Sequence, residues 1–142
     1  MPGVPAGQYR LFGQRGRPVV LAFYPGDFSP VCTQQLTEYT RDRAQLDATG
    51  ALLWGISTDD LEQHERFARA RALMMPLLAD VSGVVAELYG VKGLFGRRAR
   101  RSLFVIDPEG VIRHRSEEPL SLTYRTVDDI VAAVEAAGVK VG

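Results

Sequence analysis

Two short runs, PVVLAFY (Pro18–Tyr24) and ALLWGIS (Ala51–Ser57), are apolar almost without a break. A strand with one wet face alternates apolar and polar residues. These runs do not, and their lengths and β-branched or aromatic content fit strands covered on both faces. Pro25 ends the first run. Such strands need layers above and below them, which narrows the chain to an architecture that sandwiches a sheet between helices.

The intervening segments supply those helices. From Cys32 to about Ala48, Leu36, Tyr39, Arg43 and Leu46 recur at spacings of three and four, and Gly50 is the stop. A second helix is expected after a Ser57 or Thr58 cap, with Asp59 and Asp60 in its first turn. It carries Leu61, His64, Phe67 and Ala68 on one face and runs to about Ala72. MPLLAD reads as a short strand, and Ser82 to Tyr89 as a short helix stopped by Gly90. VKGLFGRRARR is a loop by its glycines and charges. SLFVID and VIRHRS form a hairpin around the turn DPEG. In TVDDIVAAVEAAG, Thr126 opens a helix, Asp129 sits in the capping-box position and Gly138 closes it. The order implies an α/β class: a central mixed β-sheet flanked by helices on both faces, early strands parallel and the late hairpin antiparallel. Residues 1–142 read as a single domain, with residues 1–12, rich in Gly and Pro, loosely ordered.

Seventeen basic residues balance seventeen acidic ones, so no global field draws nucleic acid or a membrane surface. No apolar run approaches the ~20 residues of a bilayer span. MPGVPAGQYR lacks the apolar centre of a secretion signal. With one cysteine no internal disulfide forms, and the expected compartment is a reducing cytoplasm.

That cysteine lies in PGDFSPVCTQQ (Pro25–Gln35). A lone cysteine is by default a small buried apolar residue. Here, however, the loop after the first strand delivers Cys32 to the first turn of a helix, beside backbone N–H groups that lack intrahelical partners. Those donors and the dipole favour an anion, and helix N-termini and nearby cations turn thiols into thiolates. Pro25 and Pro30 stiffen the loop and remove competing N–H groups. Ser29 places a hydroxyl one turn ahead.

FYPGDFSPVCTQQ resembles the active-site signature of the peroxiredoxins: Pro, three residues, Thr or Ser, two residues, Cys. Pro25, Ser29 and Cys32 fall on it. RSLFVIDPEGVI resembles the family's later strand, which an arginine precedes and which puts Arg101 on the fourth catalytic position. VVLAFYP, GIS and LLAD match in order, so the resemblance covers about residues 8 to 137. It implies a thioredoxin-like fold and a thiol-dependent peroxidase. Cys32 would attack the hydroperoxide substrate, Arg101 would hold thiolate and peroxide, Ser29 would align the peroxide, and Pro25 would shield the sulfur. No cofactor is implied.

Four departures stand out. Ser29 replaces the commoner threonine. Gln35 stands where many relatives carry glutamate. The chain before Pro18 is short where the family often has a β-hairpin. No second cysteine exists, Thr37 occupying one position where a resolving thiol can stand. The resemblance is therefore to the one-cysteine type, close to alkyl hydroperoxide reductase E and the bacterioferritin-comigratory group. An external thiol or redoxin would be the reductant, and the protein a monomer or homodimer. A peroxide sensor and an inert thioredoxin-fold binding module are the competing functions. A disulfide reductase is disfavoured because residue 29 is serine, and a glutathione-peroxidase-like protein by the proline and serine spacing.

GRRARR (Gly96–Arg101) is expected to be a solvated loop with one inward-facing member, Arg101 or its rival Arg100, rather than a nucleic-acid site. His64 and His114 stand alone in sequence, so no metal site is expected. Trp54 is expected in the core.

Overall fold

A computed structural model describes residues 1–11, 14, 16–93, 98–118 and 123–137. Its strands are β1 (Pro2–Val4), β2 (Gly7–Gln8), β3 (Val19–Phe23), β4 (Leu52–Ser57), β5 (Leu77–Ala79), β6 (Ser102–Ile106) and β7 (Ile112–Glu117). The helices are α1 (Pro30–Arg41), α2 (Arg43–Asp47), α3 (Leu61–Arg71), α4 (Val84–Leu88) and α5 (Val127–Ala136). The seven strands form one sheet in the order β2-β1-β5-β4-β3-β6-β7.

The apolar runs occupy the centre of this sheet. β3 pairs parallel with β4 and antiparallel with β6, and β4 pairs parallel with β5. Successive side chains point to opposite faces. Val20, Ala22, Leu103 and Val105 join Leu36, Tyr39, Phe67, Ile130 and Val134 on one side, while Val19, Leu21, Phe23, Phe104 and Ile106 join Trp54, Ala86 and Val91 on the other. This is the mixed sheet with helices on both faces that the sequence predicts. α5 has the expected capping box: Thr126 accepts from the Asp129 amide while Asp129 accepts from the Thr126 amide.

Three expectations need correction. The N-terminus is ordered: β1 and β2 form a hairpin whose first strand pairs with β5, Gly3 opposite Leu78. Tyr9 lies over Gly3, where a Cβ would stand 2.8 Å from its ring, and meets Trp54 edge-on at 5.6 Å. Gly3, one of the residues that read as disorder, is what lets Tyr9 pack so closely on the hairpin. The expected helix from Cys32 to Ala48 is broken at Asp42, which leaves helical geometry (φ −101°, ψ 20°) and turns its carboxylate to Arg41. Its apolar periodicity survives because α2 resumes at once. The cap of α3 is Asp60, which accepts from the Gln63 amide at 2.8 Å. Ser57 belongs to β4 and is unavailable. Residue 12, the Gly138 stop of α5, and Gly96 and Arg97 of the basic loop lie outside the described residues.

Candidate active site

The site forms where β3 ends and α1 begins. Ser29 is the N-cap of α1, and Pro30 its first residue. The first intrahelical bond is from the Thr33 amide to the Ser29 carbonyl, at 2.8 Å. The amides of Val31 and Cys32 come before it, and the Ser29 side chain caps neither. The turn therefore brings backbone N–H groups to the level of Cys32, whose side chain is buried.

The sheet register explains how a residue so distant in sequence arrives here. β6 runs antiparallel to β3 with Ser102 opposite Phe23, so Arg101 emerges beside Tyr24, at the mouth of the loop. Its Nη2 donates to Cys32 Sγ at 3.2 Å. Arg101 is 3% exposed, so little water screens the contact. Its Nη1 donates to Gln35 Oε1. Gln35 Nε2 in turn donates to the Tyr39 hydroxyl at 3.0 Å, and Tyr39 donates to the Arg125 carbonyl just before α5. Burial pushes the Tyr39 hydroxyl up, against a smaller downward pull from the Gln35 contact, so it remains a donor. A chain of oriented dipoles thus fixes the guanidinium from behind. Arg100 points elsewhere, to the Gly90 carbonyl and Glu117.

Of the four residues singled out from sequence, the structure brings Cys32 and Arg101 into contact. Ser29 sits one turn ahead at the helix start. Pro25 is half-buried in the loop, and its carbonyl accepts from Arg98 Nη1 at 2.9 Å. Arg98 is thus bound to the loop rather than merely solvated. A side chain at Gly26 would meet it, a Cβ lying 2.0 Å from Nη1.

A second buried cluster holds the same loop. Tyr24 Oη donates to Asp27 Oδ1 at 2.7 Å, and His64 Nδ1 lies 2.7 Å from Asp27 Oδ2. His64 Nε2 lies 2.9 Å from the Leu78 carbonyl. The Asp27 amide donates to Asp59 Oδ2 at 2.7 Å, as does Ser57 Oγ at 2.8 Å. Burial, then the charge and hydrogen bond of Asp27, push the Tyr24 hydroxyl well up, which keeps it a donor. His64 is therefore not isolated, and Asp59 is not simply a helix-start charge. Asp27, Asp59 and His64 present ligand atoms within 4.8 Å of one another. Within this group the Asp27 and His64 side chains are bonded to each other, while Asp59 Oδ2 accepts from the Asp27 amide and Ser57 Oγ. A histidine on the otherwise apolar face of Leu61, Phe67 and Ala68 was the available signal, because a buried imidazole needs partners.

Phe28 completes the loop in the left-handed region (φ 64°), its ring 4.9 Å from that of Phe67.

The model of the AhpC/TSA family matches residues 2–115. The chain belongs to this family, the peroxiredoxins. A chloroplastic peroxiredoxin Q of Triticum aestivum is 38% identical over 101 residues, which make up 70% of this chain and 46% of the relative. A putative peroxiredoxin bcp of Coxiella burnetii is 38% identical over 104 residues, 69% of each chain. The crystal structure of peroxidoxin BcpB from Mycobacterium tuberculosis matches with a TM-score of 0.82 at 30% identity, over 96% of this chain and 90% of that one. The family's thioredoxin-like fold is therefore present over nearly the whole chain. In length, the chain spans about half of the wheat relative and about two thirds of the Coxiella one.

Proposed function

We propose that the chain is a thiol-dependent peroxidase of one-cysteine type. The observation that carries this reading is the 3.2 Å contact between the Arg101 guanidinium and Cys32 Sγ at the start of α1. A guanidinium and unpaired amides around a sulfur are what an anionic nucleophile requires. Its family membership and the peroxiredoxin names of its relatives point the same way.

Cys32 thiolate attacks the nearer oxygen of a hydroperoxide. The S–O bond forms as O–O breaks, and the leaving oxygen takes a proton to depart as water or an alcohol. Sulfur is oxidised to sulfenic acid. Arg101 stabilises charge developing on the leaving oxygen, and the Ser29 hydroxyl and Cys32 amide align the peroxide. Pro25 walls the sulfur from further oxidation. With Cys32 the sole cysteine, two external thiols complete the cycle, giving the free thiol, a disulfide and water. A small thiol or a redoxin fills that role, in a reducing compartment such as the cytosol. Among the described residues no helix is long and apolar enough to cross a membrane.

Replacing Cys32→Ser should abolish peroxide consumption and leave the circular dichroism spectrum unchanged. A dimedone adduct on Cys32 after mild peroxide should be visible in intact mass. Wild-type turnover by the serine variant would end the proposal. Oxidation once, without recycling by any thiol or redoxin, would favour a sensor instead.

A further inference from the structure

The Asp27–His64 pair has no step to perform in that reaction, yet it is a fully enclosed polar contact beside the site. Both side chains are 0% exposed. Asp27 lies two residues after Pro25 and five before Cys32, so whatever fixes Asp27 fixes the course of the loop. The Leu78 carbonyl can only accept, so His64 Nε2 carries a hydrogen. At the other side Nδ1 and Asp27 Oδ2 are 2.7 Å apart, a separation that needs one proton between them, on nitrogen or on oxygen. The titratable groups facing the imidazole are Asp27 and Tyr24, from the end of β3 and the loop after it, and Asp59, from the loop after β4. β5 contributes only the Leu78 carbonyl.

We propose that this pair is the positioning device of the reactive loop, holding Pro25 to Cys32 in place only while it keeps its shared proton. The inference rests on the peroxidase reading of Cys32 and adds His64 and Asp27 as positioning residues. Loss of the proton opposes a nitrogen lone pair to a carboxylate. It also leaves Asp27 uncompensated beside Asp59, in a space water does not reach. Asp27 then withdraws from His64, and the first turn of α1 shifts with it. The direction of the His64 shift agrees: burial opposes its charged form, but the hydrogen bond and charge of Asp27, the Leu78 carbonyl and the charge of Asp59 outweigh it and raise the value.

The test is the rate of Cys32 sulfenate formation with hydrogen peroxide, by stopped flow between pH 6 and 10, alongside the ring titration of His64 by NMR on the same protein. The rate should fall about tenfold as His64 loses its proton, with the two midpoints coinciding. In Asp27→Asn, the amide gives a hydrogen to neutral Nδ1 and its carbonyl still accepts from Tyr24, so that fall should vanish. His64→Leu, if folded, should react slowly at every pH. A wild-type alkaline limb unrelated to His64, a flat wild-type profile, or an unchanged limb in Asp27→Asn overturns this inference alone. The wild-type coincidence decides the matter even where a variant does not fold. No peroxide consumption by wild type at any pH overturns the peroxidase reading together with it.

Discussion

Arg101 shows how much one side chain can be asked to do. It is buried, and it divides its donors between Cys32 and Gln35. Arg101→Lys keeps the charge but loses the planar fork that reaches both. Arg101→Ala loses charge as well, and should slow sulfenate formation about 100-fold, the equivalent of ~3 kcal/mol of lost charge stabilisation. Lysine should fall between alanine and wild type. Arg100→Ala, whose parent bonds the Gly90 carbonyl and Glu117, serves as the contrast. Equal losses at positions 100 and 101 would remove Arg101 from the mechanism. The Cys32–Arg101 pair was partly legible in sequence: the motif places the cysteine before a helix, and the later strand narrows the arginine to position 101 or its rival 100, between which the side-chain contacts choose. The Asp27–His64 contact was not, since two ordinary residues 37 positions apart carry no mark of pairing until α3 and the loop after β3 are placed in space.

At the scale of elements, the central strands were readable because burial on both faces leaves no polar residue to obscure the pattern. The N-terminal hairpin was missed because its information lies in what glycine permits rather than in what side chains prefer. The same logic applies at Gly93, just before the segment that delivers Arg101. Its amide donates to the Arg98 carbonyl at 2.9 Å, next to the bridge between Lys92 and Ala99. A Cβ at Gly93 would stand 2.7 Å from that same carbonyl oxygen. Backbone, unlike a side-chain tip, cannot swing aside. Gly93→Ala should therefore destabilise the protein by about 1–3 kcal/mol, the usual cost of overpacking. It should also slow the peroxide reaction, by dragging the start of β6 away from α1. Urea midpoints and stopped-flow rates on one preparation would check both, and a variant as stable and as fast as wild type would contradict the tightness argued for the Gly93–Arg98 contact.

For the molecule as a whole, two titratable side chains of opposite sense, Asp107 and His64, bound the pH range of greatest stability. Asp107, at the turn between β6 and β7, is held below its ordinary 3.8 by the Val111 amide first and then by Arg113. Below that value the unfolded chain binds a proton that the folded one refuses, so this contribution is present above about 3.8 and lost as pH falls through the folded value. His64 has the opposite sign. Its folded value lies above the ordinary 6.5, burial opposing the charge but Asp27 outweighing it. Its contribution is complete below about 6.5 and disappears as pH rises through the raised value, where the folded state retains a proton that the unfolded state has released. Stability from these two groups should therefore form a plateau between about pH 4 and 6.5, with a decline on the alkaline side no steeper than ~1.4 kcal/mol per pH unit, the limit for one proton. Urea denaturation at unit steps from pH 5 to 9 would trace that decline. Asp27→Asn should flatten it, because the amide no longer holds a proton on His64. A wild-type midpoint independent of pH from 6 to 9, or an equal decline in the variant, would mean that the Asp27 contact holds no proton on His64 beyond what the unfolded chain binds.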